Sequence, residues 1–253
     1  MKEWIINIIS NHNNKSVFCM AIVAMILCIT TDNEFFKNVS YSIVAATIFY
    51  IIVEYIPELK RENRRQQEEL YLKVIAYRKL QLCLTRVDNI FVSMYRELNK
   101  IKNFQEVDMS LEEFYDIKHI MAIVDNFDIN ASVPAINRFN KNISYKEYLQ
   151  LTWKETVQYT NEALSTRYVE MNAVLAYELQ YLISEGTLPV FFKMLELRDI
   201  STKDIFPRGI HNERYEGDTL RNIIRLHKIA FSLYNELKVD KIFNAIYKPS
   251  FYQ

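Results

Sequence analysis

Two uncharged stretches near the N-terminus decide the fold of this chain: SVFCMAIVAMILCITT at residues 16–31 and NVSYSIVAATIFYIIV at residues 38–53. As a helix, each would span about 24 Å of the roughly 30 Å hydrocarbon core of a bilayer, and flanking residues extend both. The linker DNEFFK between them offers charges and two aromatic rings that suit the membrane interface. The pattern predicts a two-helix transmembrane hairpin over about 16–31 and 38–56.

Two other structures would also give this region an apolar sequence. A cleaved signal peptide fits poorly, because the first apolar run begins only at residue 16 and no small-x-small site follows it before Asp32. A buried hairpin of a soluble bundle is the other alternative, although two uncharged runs so close together favour the membrane. The opening residues 4–9 (WIINII) form either an interfacial helix anchored by Trp4 or a frayed apolar tail. The expected domains are therefore 1–56, an N-terminal interfacial segment with the hairpin, and 57–253, a cytoplasmic α-helical domain.

Basic residues set the expected orientation of the hairpin. The linker carries only Lys37, whereas four basic residues crowd just after Pro57. They are Lys60, Arg61, Arg64 and Arg65. The positive-inside rule then places both termini in the cytoplasm and the linker outside. The same four side chains suit anionic lipid headgroups.

The composition of the 253 residues excludes most fold classes. Three glycines and five prolines are too few for sandwiches, barrels, Rossmann units or phosphate-cradling loops, so the chain is predicted to be all-α. Thirty-one basic side chains balance 31 acidic ones, which gives no global argument for nucleic acid or anionic lipid as a partner. Three cysteines without paired spacing predict neither a disulfide framework nor a zinc site.

A long stem helix is predicted to follow the hairpin, because residues 59–104 contain neither glycine nor proline. Its apolar residues recur at heptad spacing, which predicts one buried face. These residues are Leu70, Val74, Tyr77, Leu80, Leu84, Val87, Phe91, Met94, Leu98 and Ile101. The face either packs within its own chain or pairs with copies of itself, and the matching faces of later helices favour the first. An elongated helical bundle is expected.

Local signals place the later helices. Capping boxes at residues 110–113 (SLEE) and 144–147 (SYKE) predict two helix starts, and the second helix is expected to extend as far as Ser184. A short helix is expected over 188–197, with Pro189 in its first turn. Asp218 is expected to cap the last helix, after a loop over 201–217.

Polar and small residues pattern the predicted hairpin. Ser40, Thr47 and Glu54 recur every seven residues with Tyr50 between them, so on a helix they form one stripe. The stripe either lines a pore between assembled hairpins, or Glu54 reaches the cytoplasmic boundary while the hydroxyls bond to their own helix. Small residues predict close packing of the two helices. These are Ala21 and Ala24 on the first helix, which Ala45 and Ala46 on the second are expected to meet.

The C-terminal part carries a second basic group. Three of its members, Arg208, His211 and Arg214, fall in the predicted loop. The others, Arg221, Arg225 and Lys228, form a stripe on the last helix. The group would contact nucleic-acid phosphates or an acidic partner protein, or it is a solvated face balanced by neighbouring acids.

No catalytic signature is present. The sequence contains no G-x-S-x-G, Walker loop or H-E-x-x-H. Glu112, Asp116 and His119 have the spacing of half a di-metal site, but the second Glu-x-x-His that such a site needs is missing. We therefore predict no catalytic residues, no metal and no cofactor, and a protein that is not an enzyme.

This layout of N-terminal apolar segment, tight hairpin and helical region with a long stem resembles the two-transmembrane effectors of bacterial anti-phage systems. Among these are the SLATT-type effectors and those encoded beside retron reverse transcriptases. The resemblance implies a multi-pass protein of the bacterial inner membrane, restrained by a partner until infection. Once released, copies would assemble and permeabilise the membrane in abortive infection. In the retron type the partner would be a reverse transcriptase with its RNA–DNA hybrid, and otherwise another defence-system protein.

Two further classes of function stay open. A non-toxic membrane anchor or sensor would use the hairpin only to present a helical protein-interaction module. A soluble helical binding protein would bury both apolar runs in its core.

Overall fold

The computed structural model describes residues 12–99, 109–133, 143–197 and 213–239. These residues form helices and turns without a β-strand, as the sequence predicted, and one isolated antiparallel bridge joins Ser132 to Ser144. The helices are α1 (His12–Thr30), α2 (Glu34–Tyr50), a π-helical turn (Ile51–Tyr55), α3 (Ile56–Asn99), α4 (Leu111–Phe114), α5 (Ile117–Asn126), α6 (Tyr145–Leu164), α7 (Arg167–Met171), α8 (Ala173–Ser184), α9 (Thr187–Leu197) and α10 (Glu213–Val239).

The chain divides into two compact units, Met1–Glu68 and Glu69–Gln253. In the first unit α1 and α2 pack against each other across a connection of three residues. Asn33 closes this connection, because its side-chain oxygen accepts a hydrogen bond from the backbone N–H of Phe35 at 2.9 Å and so caps α2. The two apolar runs therefore become neighbouring helices.

The core of the second unit is built on the predicted heptad face of α3. Seven of its ten residues are buried and two more are partly buried against the core, while Ile101 lies outside the described residues. The face thus packs within its own chain, as expected. Buried residues of α6, α8, α9 and α10 belong to the same hydrophobic cluster as this face, so the later helices supply the opposing apolar surfaces.

Both predicted capping boxes are confirmed. Ser110 and Ser144 accept hydrogen bonds from the backbone N–H groups of Glu113 and Glu147, and both glutamates bond back. The helix that begins after Ser110 is shorter than predicted, because Asp116 interrupts it and starts α5. The Asp116 carboxylate accepts bonds from two backbone N–H groups, which costs less than leaving the first turn of α5 uncapped.

The predicted helix from 144 to Ser184 is wrong in extent, because the structure divides it into α6, α7 and α8. Side chains that compete for backbone groups explain both interruptions. The Thr166 hydroxyl donates to the carbonyl of Ala163 at 2.7 Å, and the Asn172 side chain caps α8 by accepting from Leu175 N–H at 3.1 Å.

The last helix begins earlier than predicted. Asp218 lies within α10 rather than at its cap, where it forms an ion pair with Arg221 one turn later at 3.0 Å. Of the predicted loop over 201–217, residues 201–212 lie outside the described part, and the remainder is helical. Helix α9 agrees with the expected short helix and keeps Pro189 in its first turn.

Replacing Gly186 with alanine is expected to lower the free energy of unfolding by about 1–3 kcal/mol. Gly186 is buried between α8 and α9, and an added Cβ would lie 2.9 Å from Thr219 Oγ1 on α10. This oxygen accepts a hydrogen bond from Thr187 N–H at 2.9 Å, so moving it also weakens the start of α9. The measurement is thermal unfolding of the purified chain.

The matched control for Gly186→Ala is its combination with Thr219→Ala, which removes the oxygen that the new Cβ meets. The double variant should be no less stable than Thr219→Ala alone, because the two changes act on one contact. Simple additivity of the two losses of stability would contradict this explanation.

Candidate membrane-spanning site

Most of the large apolar residues of the first unit are exposed. By length and composition, one helix among the described residues is able to cross a membrane: the helical run 34–99, whose most apolar 18-residue window is only 17% buried. A core helix of a soluble protein would be mostly buried, so this surface is of another kind. The apolar part of α1, Cys19–Thr30, is shorter. The exposed residues are Met20, Ile22, Val23, Met25, Ile26, Leu27, Ile29, Phe35, Phe36, Val39, Tyr41, Ile43, Ile48, Phe49, Ile52 and Val53.

Small and polar residues form the packing seam between α1 and α2. Ala21 and Ala24 are buried on α1, and Ser40 and Thr47 are buried on α2. The Thr47 hydroxyl donates to the carbonyl of Ile43 at 2.9 Å, which satisfies it within its own helix. The seam therefore holds the hydroxyls of Ser40 and Thr47 inside the helix pair. The outside is mostly apolar, and the exposed Ser42 hydroxyl donates to the carbonyl of Asn38 in its own helix at 3.0 Å.

The expected role of Ala45 and Ala46 in this seam is wrong, because both are exposed. Successive side chains of an α-helix point about 100° apart. Ala45 and Ala46, which follow the half-buried Val44, therefore point away from the seam. Ser40 and Thr47, seven residues apart, take the place that was predicted for the alanines.

The π-helical turn Ile51–Tyr55 separates Glu54 from the predicted stripe. A regular α-helix would bring Glu54 back to the face of Ser40 and Thr47, since seven residues make nearly two turns. Instead Glu54 is exposed and Tyr55 is buried, because the wider turn contains one extra residue. Tyr50, also part of the predicted site, is half-buried.

The four predicted juxtamembrane cations lie in the first turns of α3, and all are exposed. They are Lys60, Arg61, Arg64 and Arg65. Within the described residues none of them forms an ion pair, so their charges face the surroundings of the helix. This part of α3 is therefore suited to an anionic surface.

The stripe on α10 lies against carboxylates. Arg225 contacts buried Glu178 at 2.9 Å and Arg221 contacts Asp218 at 3.0 Å. Lys228 contacts Glu112 at 3.0 Å, and this hydrogen bond lowers the pKa of the Glu112 carboxyl. The positive charge of the stripe is thus balanced locally.

The other three members of the predicted C-terminal group lie wholly or in part outside the described residues. Arg208 and His211 lie outside the described residues, as does the side chain of Arg214 at the start of α10. The predicted contact with nucleic acid or an acidic partner stays a prediction.

The sequence did not predict two buried polar clusters of the second unit. In one, Asp88 accepts hydrogen bonds from the Tyr115 hydroxyl at 2.6 Å and from His227 Nε2 at 2.9 Å. In the other, Glu178 binds Asn222 Nδ2 at 2.5 Å in addition to Arg225. The sequence did contain a signal for the two carboxylates, because each interrupts an apolar helix face at helical spacing. Asp88 lies between Leu84 and Phe91, and Glu178 lies between Leu175 and Leu182. Their partners are distant in sequence, so no pattern indicated which groups would pair.

The residues with the spacing of half a di-metal site have other contacts: Glu112 pairs with Lys228, while Asp116 and His119 contact the backbone. Asp116 caps α5, and His119 Nδ1 lies 2.8 Å from the carbonyl oxygen of Phe114. No group of three or more potential metal ligands occurs in the part of the chain that the structure describes.

Comparison of the chain with protein-family models, curated proteins and solved structures finds no match.

Proposed function

We propose that this chain is a membrane protein whose α1–α2 pair crosses a lipid bilayer as a transmembrane hairpin. The observation that carries the proposal is the inverted surface of the pair, with hydroxyls in the seam and large apolar side chains outside. In water such a surface is costly, whereas hydrocarbon favours it. The exposed cations from Lys60 to Arg65 would then lie at the cytoplasmic headgroups, with the helical region on the same side.

The proposed activity is permeabilisation of the bacterial inner membrane as the effector of an anti-phage system. It rests on the resemblance in layout to two-transmembrane effectors, together with the inverted surface. One pair of helices cannot enclose water, so permeation requires a homo-oligomer. A reverse transcriptase with its RNA–DNA hybrid, or another defence-system protein, would hold the chain silent until infection.

A second candidate function is a non-toxic membrane anchor for a helical interaction module. Ser40 and Thr47 favour it, because their side chains are turned into the seam of their own chain and need no water-filled path. The balanced charge of the α10 stripe points to contacts within the chain rather than to nucleic acid.

Membrane potential distinguishes the two functions. A voltage-sensitive dye would be followed while bacteria express the full chain alone, a version lacking residues 1–56, or a version with an unrelated two-helix anchor in place of 1–56. We expect depolarisation and growth arrest with the full chain only. Arrest that survives the exchange of anchors, or no depolarisation by full chain confirmed in the membrane, would contradict permeabilisation and favour the anchor.

A further inference from the structure

We infer that assembled copies of the helix pair present a ring of Glu54 carboxylates that makes their pore selective for cations. The inference rests on the proposed permeabilising function and adds the class of ion that passes. It is carried by the depth of Glu54, by the π-helical turn that exposes it, and by its surroundings.

The depth of Glu54 follows from the cations on either side of it. Lys37 and Lys60 are the nearest basic residues before and after it, and they are 23 positions apart. At 1.5 Å per residue this is about 34 Å, close to the thickness of a hydrocarbon core with a basic residue at each edge. Glu54 then lies about 9 Å inward of Lys60, below the headgroups.

The direction of the Glu54 side chain keeps it at that depth. In a helix the Cα–Cβ bond tilts toward the N-terminus, which for α2 and the π-helical turn points toward the membrane interior. A short glutamate near the C-terminal end of the span is therefore poorly placed to reach the cytoplasmic interface. Long lysine or arginine side chains would reach it more readily.

The π-helical turn decides which surface the carboxylate faces. With Tyr55 buried in its place, Glu54 is directed away from the seam and is exposed beside exposed Ile52 and Val53. It forms no ion pair among the described residues. A charge facing lipid is costly, so the carboxylate requires a polar neighbour from outside its own chain. Single π-helical turns of this kind are frequent at functional sites.

Water and cations enclosed between assembled copies of the chain would supply that neighbour. Copies in one bilayer share orientation and depth, so their Glu54 carboxylates meet at one level. Like charges at one level repel unless water and cations lie between them, which places the ring at an aqueous path. At about 4 Å in water, the attraction of one carboxylate raises the local concentration of monovalent cations roughly fivefold. Its repulsion lowers the local concentration of monovalent anions by the same factor.

The test is the reversal potential of the purified full chain in planar bilayers under a potassium chloride gradient. Parent protein is expected to prefer K⁺ over Cl⁻ by roughly tenfold, Glu54→Gln to lose most of this preference, and Glu54→Asp to keep it. The matched control is Glu58→Gln, which removes an exposed charge one turn later, nearer to the headgroups.

Four outcomes would contradict the proposals. Absence of any conductance from the parent protein overturns the permeabilising function and this inference with it. A conductance that prefers anions, or a cation preference that persists in Glu54→Gln, overturns the inference alone. Equal loss of selectivity in Glu58→Gln also overturns it, because general surface charge would then explain the preference.

Discussion

Ile48→Arg is expected to reduce membrane insertion by roughly a hundredfold, since arginine at the centre of a membrane helix costs about 2.5–3.5 kcal/mol. Ile48 lies midway between Lys37 and Lys60, and its side chain is 52% exposed. The sign of the effect shows whether Ile48 faces water or the hydrocarbon core of a bilayer. In water, arginine at an exposed position is neutral or improves solubility, whereas in hydrocarbon it is strongly unfavourable. The measurement is the fraction of chain that resists alkaline extraction from membranes.

Ile75→Arg is the matched control for this change. Ile75 is 49% exposed on α3 in the second unit, so it has the same residue type, helical setting and exposure as Ile48. It should leave the extraction-resistant fraction unchanged. If both variants remained in the membrane as fully as the parent, the bilayer would not be the environment of Ile48.

Asp88→Ala is expected to lower the free energy of unfolding by about 3–5 kcal/mol, because it removes the buried acceptor shared by Tyr115 and His227. All three side chains are buried, so water does not readily replace the lost hydrogen bonds. For a chain of this size, about 1 kcal/mol corresponds to roughly 2–4 °C in Tm. The expected fall is therefore about 6–20 °C, measured through the fluorescence of Trp153, whose ring stacks on Phe192.

Glu155→Ala provides the comparison at a partly exposed ion pair. Glu155 contacts Arg86 Nε at 2.8 Å, and its side chain is 41% exposed, so its removal should cost at most about 1 kcal/mol. Combining Asp88→Ala with His227→Ala should cost less than the sum of the single changes, because both remove one interaction. Equal effects of Asp88→Ala and Glu155→Ala would show that burial adds nothing at Asp88.

Local patterns were sufficient for much of the fold. The scarcity of glycine and proline predicted helices, and the heptad spacing from Leu70 to Leu98 identified the face of α3 that is buried or partly buried. Capping boxes depend on residues three apart, so Ser110 and Ser144 were recognised directly. Helix ends between Leu164 and Ala173 were missed, because competing side-chain hydrogen bonds ended helices that helix propensity would have continued.

The candidate site shows the same division between local and distant information. The sequence by itself determined that two apolar helices occupy the N-terminal region and that basic residues follow them, since composition and spacing are local properties. Only the tertiary structure placed Ser40 and Thr47 inside the seam and Ala45 and Ala46 outside it. One extra residue in the π-helical turn moved Glu54 off the face that regular periodicity predicted.

In the second unit, too, local sequence patterns did not predict contacts between distant residues. Asp88 and His227 are 139 positions apart, and Glu178 and Arg225 are 47 apart. Sequence patterns reported the apolar faces that carry these residues, because each face repeats within one helix. They did not report which polar groups meet, because that depends on how separate helices pack around a shared core.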